Sequence, residues 1–194
     1  MKTLANLAIA VAVAGSLYGA LVYAEATTPG LEFGAVKFVL PMVLGSGLFT
    51  GLNRRSGNRR MPVTNGIRKA ELLAFPPRAG SGWVVVLREK RAATRSLGFD
   101  VVVDRVAIAQ LMPKRFTMIA LPAGAHQLSV DVPGARGDFA VVPLDITVGA
   151  DTVLIFAIRA SMGLLRSPLR FDPVADTPAL RATLAQFQLV EAQA

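Results

Sequence analysis

An uncharged apolar run close to the N-terminus constrains this chain more than any other feature. The run extends from Leu4 to Ala24, and a helix of about 20 apolar residues crosses the hydrocarbon core of a bilayer. Tyr23, near the far end of the run, is a residue type that favours the membrane–water interface. The mean hydropathy of +0.48 is also high for a soluble protein. The sequence therefore predicts a first transmembrane helix over residues 4–24.

A cleaved signal peptide is the alternative explanation of this run. Lys2 places a positive charge before it, and Ala24-Glu25-Ala26 has the small-residue pattern of a cleavage site. However, the apolar core of a signal peptide is usually about 7–15 residues long, which is shorter than this run. We favour a retained helix, and a cleaved signal peptide followed by a periplasmic domain remains the alternative.

A second apolar segment extends from Leu31 to Leu52 and is less uniform. Glu32 and Lys37 make its first third polar, and Pro41 is expected to kink a helix. Full crossing requires the Lys37 ammonium to reach toward the interface, so a re-entrant or interfacial segment is the alternative. We expect a transmembrane hairpin over residues 1–52, with helices at 4–24 and 31–52.

Paired glycines in both segments predict close helix packing. The spacing of four residues that lets two membrane helices approach each other occurs twice, at Gly15 and Gly19 and at Gly47 and Gly51. Small residues are common in membrane helices, so this pattern is weakly specific.

Basic residues follow the second segment and predict the orientation of the chain. Most of the net charge of +8 lies in the first 70 residues, and the flanking cluster consists of Arg54, Arg55, Arg59 and Arg60. Positive charges favour the cytoplasmic side of a membrane, so the domain that follows is expected there. We interpret residues 53–69 as a juxtamembrane linker whose arginines lie close to lipid headgroups, each contributing about 1 kcal/mol. A pure topology signal explains the cluster equally well.

Composition excludes several classes of function. The chain has no cysteine, which excludes disulfides, thiolate metal sites and a thiol nucleophile. The part beyond residue 70 is nearly neutral and has few aromatic residues, so nucleic-acid binding is not expected.

The remaining part, residues 70–194, changes to short apolar runs separated by turn residues. About seven runs with this spacing are typical of an antiparallel sandwich. The runs are Trp83–Leu87, Phe99–Val103, Val106–Leu111, Phe116–Leu121, Ala125–Val132, Phe139–Val148 and Thr152–Arg159. Pro143 inside the sixth run indicates an edge or a bulge. We expect a mainly β fold, a small antiparallel β-sandwich with a C-terminal helix.

The C-terminal helix is predicted over Ala179–Leu189, with Thr177 as its N-cap. Leu180, Leu184 and Phe187 recur on one face. That stripe either packs across the sandwich or forms an interface with a partner.

The stretch Phe99–Val132 contains the segment Leu-Pro-x-Gly-x-His at 121–126. This stretch resembles PEGA-type domains and, more closely, a bacterial family of unknown function with a PEGA-like sandwich. The C-terminal part, Phe171–Val190, has the acidic turn, short helix and final Leu-Val of that family. The resemblance covers about residues 70–190. It implies a membrane-associated β-sandwich and supplies no catalytic residues; lipid-anchored members carry a cysteine that this chain lacks.

Few side chains are candidates for a catalytic, metal-binding or ligand-binding role. His126 is the only histidine and is expected to be structural. Asp100 and Asp104 lie too far apart on one strand for a shared metal and are interpreted as turn residues. The basic residues Arg88, Lys90, Arg91, Lys114 and Arg115 are interpreted as a solvated rim. We therefore expect no cofactor, no metal and no enzymatic activity.

These inferences predict a multi-pass protein of the bacterial inner membrane, with a cytoplasmic β-domain. It is expected to be a non-catalytic structural or interaction protein that contacts membrane lipid. Its β-sandwich docks to another subunit of a membrane complex or to a second copy. The alternative is a binding module for a small envelope or lipid-derived ligand.

Overall fold

The structure is a computed structural model. It describes residues 2–59, 61–64, 66–89, 94, 96–133, 139–160 and 167–193, with the backbone alone at 2, 54–56 and 167. The chain divides into two compact units, Met1–Ser56 and Gly57–Ala194. The boundary therefore lies inside the predicted 53–69 linker, most of which belongs to the second unit.

The first unit is a pair of helices, α1 (Lys2–Thr27) and α2 (Val36–Ser56). Over Thr3–Thr27 and Val36–Asn53 they are long and apolar enough to cross a membrane. The second helix begins at Val36 instead of the predicted Leu31, because the preceding loop has glycines in the left-handed region, Gly30 at φ 80° and Gly34 at φ 54°. The helix continues through Pro41.

Contacts between the helices occur near both ends of the pair. The Lys37 ammonium lies 2.7 Å from a Glu25 carboxylate oxygen. At the other end, the Asn6 side-chain amide donates to the side-chain Oδ1 of Asn53 at 2.9 Å. These pairs keep polar groups satisfied within the hairpin, as an apolar surrounding requires.

The second unit contains two sheets and two further helices. Among the described residues the sheets have six and four strands, in the orders β10-β4-β1-β8-β9-β6 and β3-β2-β5-β7. The strands are β1 (Ser81–Arg88), β2 (Phe99–Val103), β3 (Val106–Leu111), β4 (Arg115–Pro122), β5 (Gly124–Asp131), β6 (Phe139–Val141), β7 (Leu144–Val148), β8 (Val153–Ala160), β9 (Ser167–Pro173) and β10 (Gln188–Glu191). The helices are α3 (Gly66–Leu73) and α4 (Pro178–Gln186).

The fold is mixed rather than purely β, and the six-stranded sheet is not antiparallel throughout. Strand β1 pairs in parallel with β8, β4 with β10, and β6 with β9. The other two pairings among its described strands, β1 with β4 and β8 with β9, are antiparallel. The four-stranded sheet has the predicted antiparallel pairing throughout.

Two hydrophobic clusters lie on opposite faces of the six-stranded sheet. Val84 and Val86 of β1 join the cluster shared with the four-stranded sheet. Trp83, Val85 and Leu87 point the other way, into a cluster that includes Leu184 of α4. Because both faces of β1 are buried, its sequence is a continuous apolar run instead of an alternating one.

Several sequence predictions need correction. Helix α4 ends at Gln186, because Phe187 adopts an extended backbone and Leu189 pairs with β4. The predicted run 139–148 is two strands in different sheets, since the chain changes sheet at Pro143. Helix α3 and strands β9 and β10 were not predicted.

Candidate functional site

A groove on the outer face of the six-stranded sheet is the candidate functional site. It has a volume of about 380 Å³, within the range of about 300–1,000 Å³ that is typical of ligand sites. Its lining includes Arg68, Leu72, Arg78, Trp83, Met118, Ala120, Leu189 and Glu191. We call it the arginine–tryptophan groove.

The apolar floor of the groove follows from strand alternation. Trp83 on β1 is paired with Ala120 on β4, and Met118 lies two residues along β4, so the three side chains share one face. Leu189 of β10 extends this surface, since β10 pairs with β4. Leu72 of α3 is partly buried against the same cluster.

Two arginines border this floor. The Arg78 guanidinium lies 5.0 Å from the centre of the Trp83 ring, within the range of a cation–π contact. The Trp83 indole N–H donates to the Pro76 carbonyl at 2.8 Å, which fixes the ring. Arg68 projects from α3 and pairs with Glu71 at 3.4 Å. Both arginine side chains are exposed.

Main-chain groups beside the groove are already paired. The Thr64 N–H donates to the Leu189 carbonyl at 2.9 Å, and the Glu191 N–H donates to the Pro62 carbonyl at 3.2 Å. The outer edge of β10 is therefore covered by residues 61–64, and the groove is lined by side chains.

Helix α3 is held in place at the groove by Lys69. Its ammonium donates to the carbonyls of Ala185 and Phe187 at the C-terminus of α4. A cation at this end of a helix satisfies unpaired carbonyls and the helix dipole. Burial lowers the pKa of Lys69.

The predicted membrane-flanking arginines have different structural settings. Arg54 and Arg55 lie in the last turn of α2, and their side chains, like all of Arg60, are outside the described residues. Arg59 belongs to the second unit, where its guanidinium lies 2.9 Å from Asp100. Lipid contact by these residues stays a prediction.

The predicted packing glycines do not lie in the contact between α1 and α2. Beyond the adjacent residues and the backbone of its own helix turn, an added Cβ at Gly15, Gly19, Gly47 or Gly51 would meet no described atom within 4 Å. At Gly45, an added Cβ would instead lie 3.0 Å from the Ala14 Cβ. The helices therefore approach each other at Gly45, and a role of the four glycines toward another chain stays a prediction.

The predicted apolar stripe of helix α4 packs against the six-stranded sheet. Leu184 is fully buried, and Leu180 and Phe187 are partly buried against the same cluster. The Thr177 hydroxyl caps the helix by accepting from the Leu180 N–H at 3.2 Å. The contact of this face with another protein stays a prediction.

Asp100 and Arg88 are buried, contrary to the turn and rim roles predicted for them. Asp100 accepts from the Gln110 amide at 2.6 Å. Arg88 donates to the Leu97 and Leu111 carbonyls, and its guanidinium lies 3.6 Å from the centre of the Phe99 ring. Burial lowers the pKa of Arg88 to about 10, so it stays charged at neutral pH.

His126 has partners on both ring nitrogens. Nδ1 lies 2.7 Å from the Asp104 carboxylate, and Nε2 lies 2.9 Å from the Pro122 carbonyl. No group of three His, Cys, Asp or Glu side chains within the described part of the chain is arranged to hold a metal ion.

Sequence reasoning missed the groove. Arg68 was assigned to the linker, and Trp83 was interpreted only as part of a buried strand. The available signal was the pattern Gly66–Leu73, in which Arg68 and Leu72 recur at i and i+4 on one helical face.

Comparison of the chain with protein-family models, with curated proteins and with solved structures gives no match.

Proposed function

We propose that this protein is a membrane-anchored, non-catalytic interaction protein. The hairpin α1–α2 anchors it in a bacterial inner membrane, and its PEGA-like β-domain docks to another subunit or to a second copy. The main support is the apolar exterior of both helices. Large hydrophobic side chains are exposed along them, including Leu4, Val11, Met42 and Val43. Such a surface is stable in lipid and costly in water.

The proposed orientation places the loop between the helices outside and the β-domain in the cytoplasm. The described loop from Thr28 to Ala35 carries no lysine or arginine, whereas Arg54 and Arg55 lie at the end of α2. Basic residues at one end of a helix favour the cytoplasmic side. A cleaved signal peptide with a periplasmic domain is the competing arrangement.

Single cysteines test the anchor and its orientation, since the natural chain has none. Thr28→Cys and Ala175→Cys both lie at exposed loop positions. We expect an impermeant maleimide to label Thr28→Cys in intact spheroplasts, and Ala175→Cys only after permeabilisation. Labelling of Ala175→Cys alone in intact spheroplasts would show that the chain has the opposite orientation. Release of the chain by alkaline carbonate would contradict the anchor itself.

The second candidate function is a binding module for a small envelope or lipid-derived ligand. The arginine–tryptophan groove specifically favours it, because Arg68 and Arg78 border a concave site beside the fixed Trp83 ring, an arrangement suited to a small anionic ligand. The two functions are compatible, since the groove occupies one part of the domain surface.

A further inference from the structure

We propose that one end of the β-domain rests on anionic lipid headgroups at the surface of the membrane. This end comprises residues 57–59, 96–98 and 111–115, and we call it the tethered end. The inference rests on the proposed membrane anchoring, and it specifies which surface of the β-domain contacts lipid.

The chain enters the β-domain at the tethered end. Three residues separate Asn53, where the candidate membrane span ends, from Gly57. The Gly57 carbonyl accepts from the Gln110 amide at 3.0 Å, and the Asn58 side-chain amide donates to the Ser96 carbonyl at 2.9 Å. Four residue steps span at most about 14 Å. With the span in a bilayer, the tethered end is therefore held close to the headgroups.

The turn between β3 and β4 belongs to the same end through Arg88. The buried Arg88 guanidinium donates to the Leu97 and Leu111 carbonyls, and the Lys114 N–H donates to the Arg88 carbonyl at 3.0 Å. Arg115 is opposite Arg88 in the pairing of β1 with β4. Lys114 and Arg115 therefore lie at the tethered end, and not at the opposite end of the sheet, where β1 begins.

Acidic side chains near the tethered end are mostly compensated. Asp100 pairs with Arg59 at 2.9 Å, and Glu89, directly after β1, pairs with Arg159 at 3.2 Å. Asp131 is a further acidic residue at this level, opposite Asp100 in the pairing of β2 with β5. These pairs leave the net charge of the end to the basic residues that no carboxylate neutralises.

Lys114 and Arg115 supply that positive charge. Among the described residues, no carboxylate forms an ion pair with either side chain: Lys114 is exposed, and Arg115 donates to the neutral Gln188 side chain at 3.1 Å. The sequence between Glu89 and Ser96 is also basic, with Lys90, Arg91 and Arg95.

The described turns of the opposite end carry no such surplus. Asp104 and Arg105 lie between β2 and β3, Asp151 lies between β7 and β8, and the turn between β4 and β5 is uncharged. The positive end of the β-domain is therefore the end at which the chain enters it. A negative membrane surface attracts basic residues within about one Debye length, so it favours contact with the tethered end.

Two single cysteines compare the two ends, because the natural chain has none. Ser96→Cys lies at the tethered end and Ala123→Cys at the opposite end, and both positions are exposed. Each full-length variant carries a fluorophore in nanodiscs of headgroup-nitroxide phosphatidylcholine, with or without phosphatidylglycerol. We expect quenching at position 96 that strengthens with phosphatidylglycerol and weakens at high salt, and little quenching at position 123.

Charge variants assign the effect to Lys114 and Arg115. In the anionic discs, Lys114→Gln and Arg115→Gln should each lower the ratio of quenched to unquenched label at position 96 about fivefold. Arg105→Gln is the matched control, since Arg105 is an exposed turn residue of the opposite end and, like Lys114, has a positive φ. Far-ultraviolet circular dichroism confirms that each variant is folded.

Three outcomes would overturn the proposal: equal quenching at positions 96 and 123, quenching at position 96 that phosphatidylglycerol leaves unchanged, or charge variants that behave like Arg105→Gln. A response of the label at position 96 to soluble polyglutamate, without one to phosphatidylglycerol, would replace the headgroups with an acidic protein.

The anchor is tested separately by carbonate extraction. A chain that carbonate releases, but whose label at position 96 still responds to phosphatidylglycerol, contradicts the proposed function alone. A chain that resists extraction and shows no such response contradicts the lipid-contacting surface alone.

Discussion

The Asp104 and His126 side chains meet at the tight turn between β2 and β3. Asp104 and Arg105 occupy this turn with φ of 48° and 70°, in the left-handed region that glycine or asparagine usually fills. Asp104 stabilises the conformation by accepting from the Gln127 N–H at 2.9 Å and pairing with His126. One carboxylate thus connects the β2–β3 turn to β5.

The surroundings of His126 favour its imidazolium form. Its two nitrogens face a carboxylate and a carbonyl, which are both acceptors, and only the doubly protonated ring donates to both. The hydrogen bond to Asp104, and then that to Pro122, raise the pKa of His126 above its ordinary value of 6.5. The bonds to His126 and to the Gln127 N–H lower the pKa of Asp104 below 3.8.

The first prediction is a pH dependence of stability. Because the pKa of His126 is raised, its contribution is complete below pH 6.5 and is lost as pH rises through the raised value. The contribution of Asp104 is present above pH 3.8 and is lost as pH falls through its lowered pKa. His126→Gln should therefore destabilise the protein most near pH 5.5, by less than about 1 kcal/mol because the pair is partly solvated.

Urea unfolding of the full chain in detergent, followed by Trp83 fluorescence, measures this effect. The urea midpoints of the natural chain and of His126→Gln should converge as the pH is raised toward 9. Gln127→Ala is a control that retains the main-chain bond to Asp104. A difference that grows with pH would show that the imidazole is bound in its neutral form.

For some single residues, the sequence does not predict the surroundings that the structure shows. The sequence predicts a structural role for the lone histidine, but its Asp104 partner depends on a strand pairing that no local pattern reveals. The sequence analysis interpreted Arg88 as part of a solvated rim. It is buried because the Thr94, Leu97 and Leu111 carbonyls converge on it, and such convergence is visible only in three dimensions.

At the scale of elements, local signals predicted most strands but not their neighbours. Apolar runs and turn residues located β1 to β5 and β8 within two residues. The parallel pairings of β1 with β8 and β4 with β10 join distant parts of the chain, so no turn signal specifies them. The predicted helix includes the first two residues of β10, Gln188 and Leu189, because Leu189 continues an apolar pattern.

Helix α4 shows how a short element depends on packing. A helix of nine residues is marginal in water, even with the Thr177 cap. Leu184 is fully buried against the six-stranded sheet, whereas Phe187 is only partly buried. Most of the stabilisation should therefore come from Leu184.

The second prediction compares these two residues. Leu184→Ala should lower the free energy of unfolding by about 2–5 kcal/mol, and Phe187→Ala by less, because its ring retains solvent contact. Gln186→Ala is the matched control on the exposed face of the same helix. Urea unfolding of the full chain measures the three variants.

The opposite result would identify an interface. If Leu184→Ala leaves the urea midpoint unchanged but abolishes co-purification of another chain from detergent, the stripe contacts a partner instead of the sheet.

At the scale of the whole molecule, the β-domain begins earlier than its sequence suggested. Asn58 accepts from the Gly98 N–H at 2.6 Å and donates to the Ser96 carbonyl at 2.9 Å. The Gln110 amide donates to the Gly57 carbonyl at 3.0 Å. Because Gln110 is fully buried, this network fixes residues 57–59 to the four-stranded sheet.

Polar and basic composition made this segment look like a linker. The Asn58 and Arg59 side chains are polar because they bind groups of the domain, whereas the side chains of a linker are polar because they are solvated. Composition cannot distinguish these two causes, since the partners lie about 40–50 residues further along the chain.

The last prediction follows from this boundary. A fragment of residues 57–194 should be soluble, β-rich and cooperative in unfolding, because it retains both hydrophobic clusters. A fragment of residues 68–194 lacks Met61, which is buried in the first cluster, and the bridge between Val63 and Val190. It also removes the Gly57 and Arg59 main-chain partners of the Gln110 side chain. The Gln110 Nε2 keeps its bond to Asp100, but a buried amide oxygen that loses its donor costs about 1–3 kcal/mol. The shorter fragment should therefore unfold at a clearly lower urea concentration, or fail to fold.

Circular dichroism and urea unfolding of the two fragments measure the difference, with Gln110→Ala in the longer fragment as a control for the polar network. Equal midpoints for the two fragments would show that residues 57–67 are a linker after all.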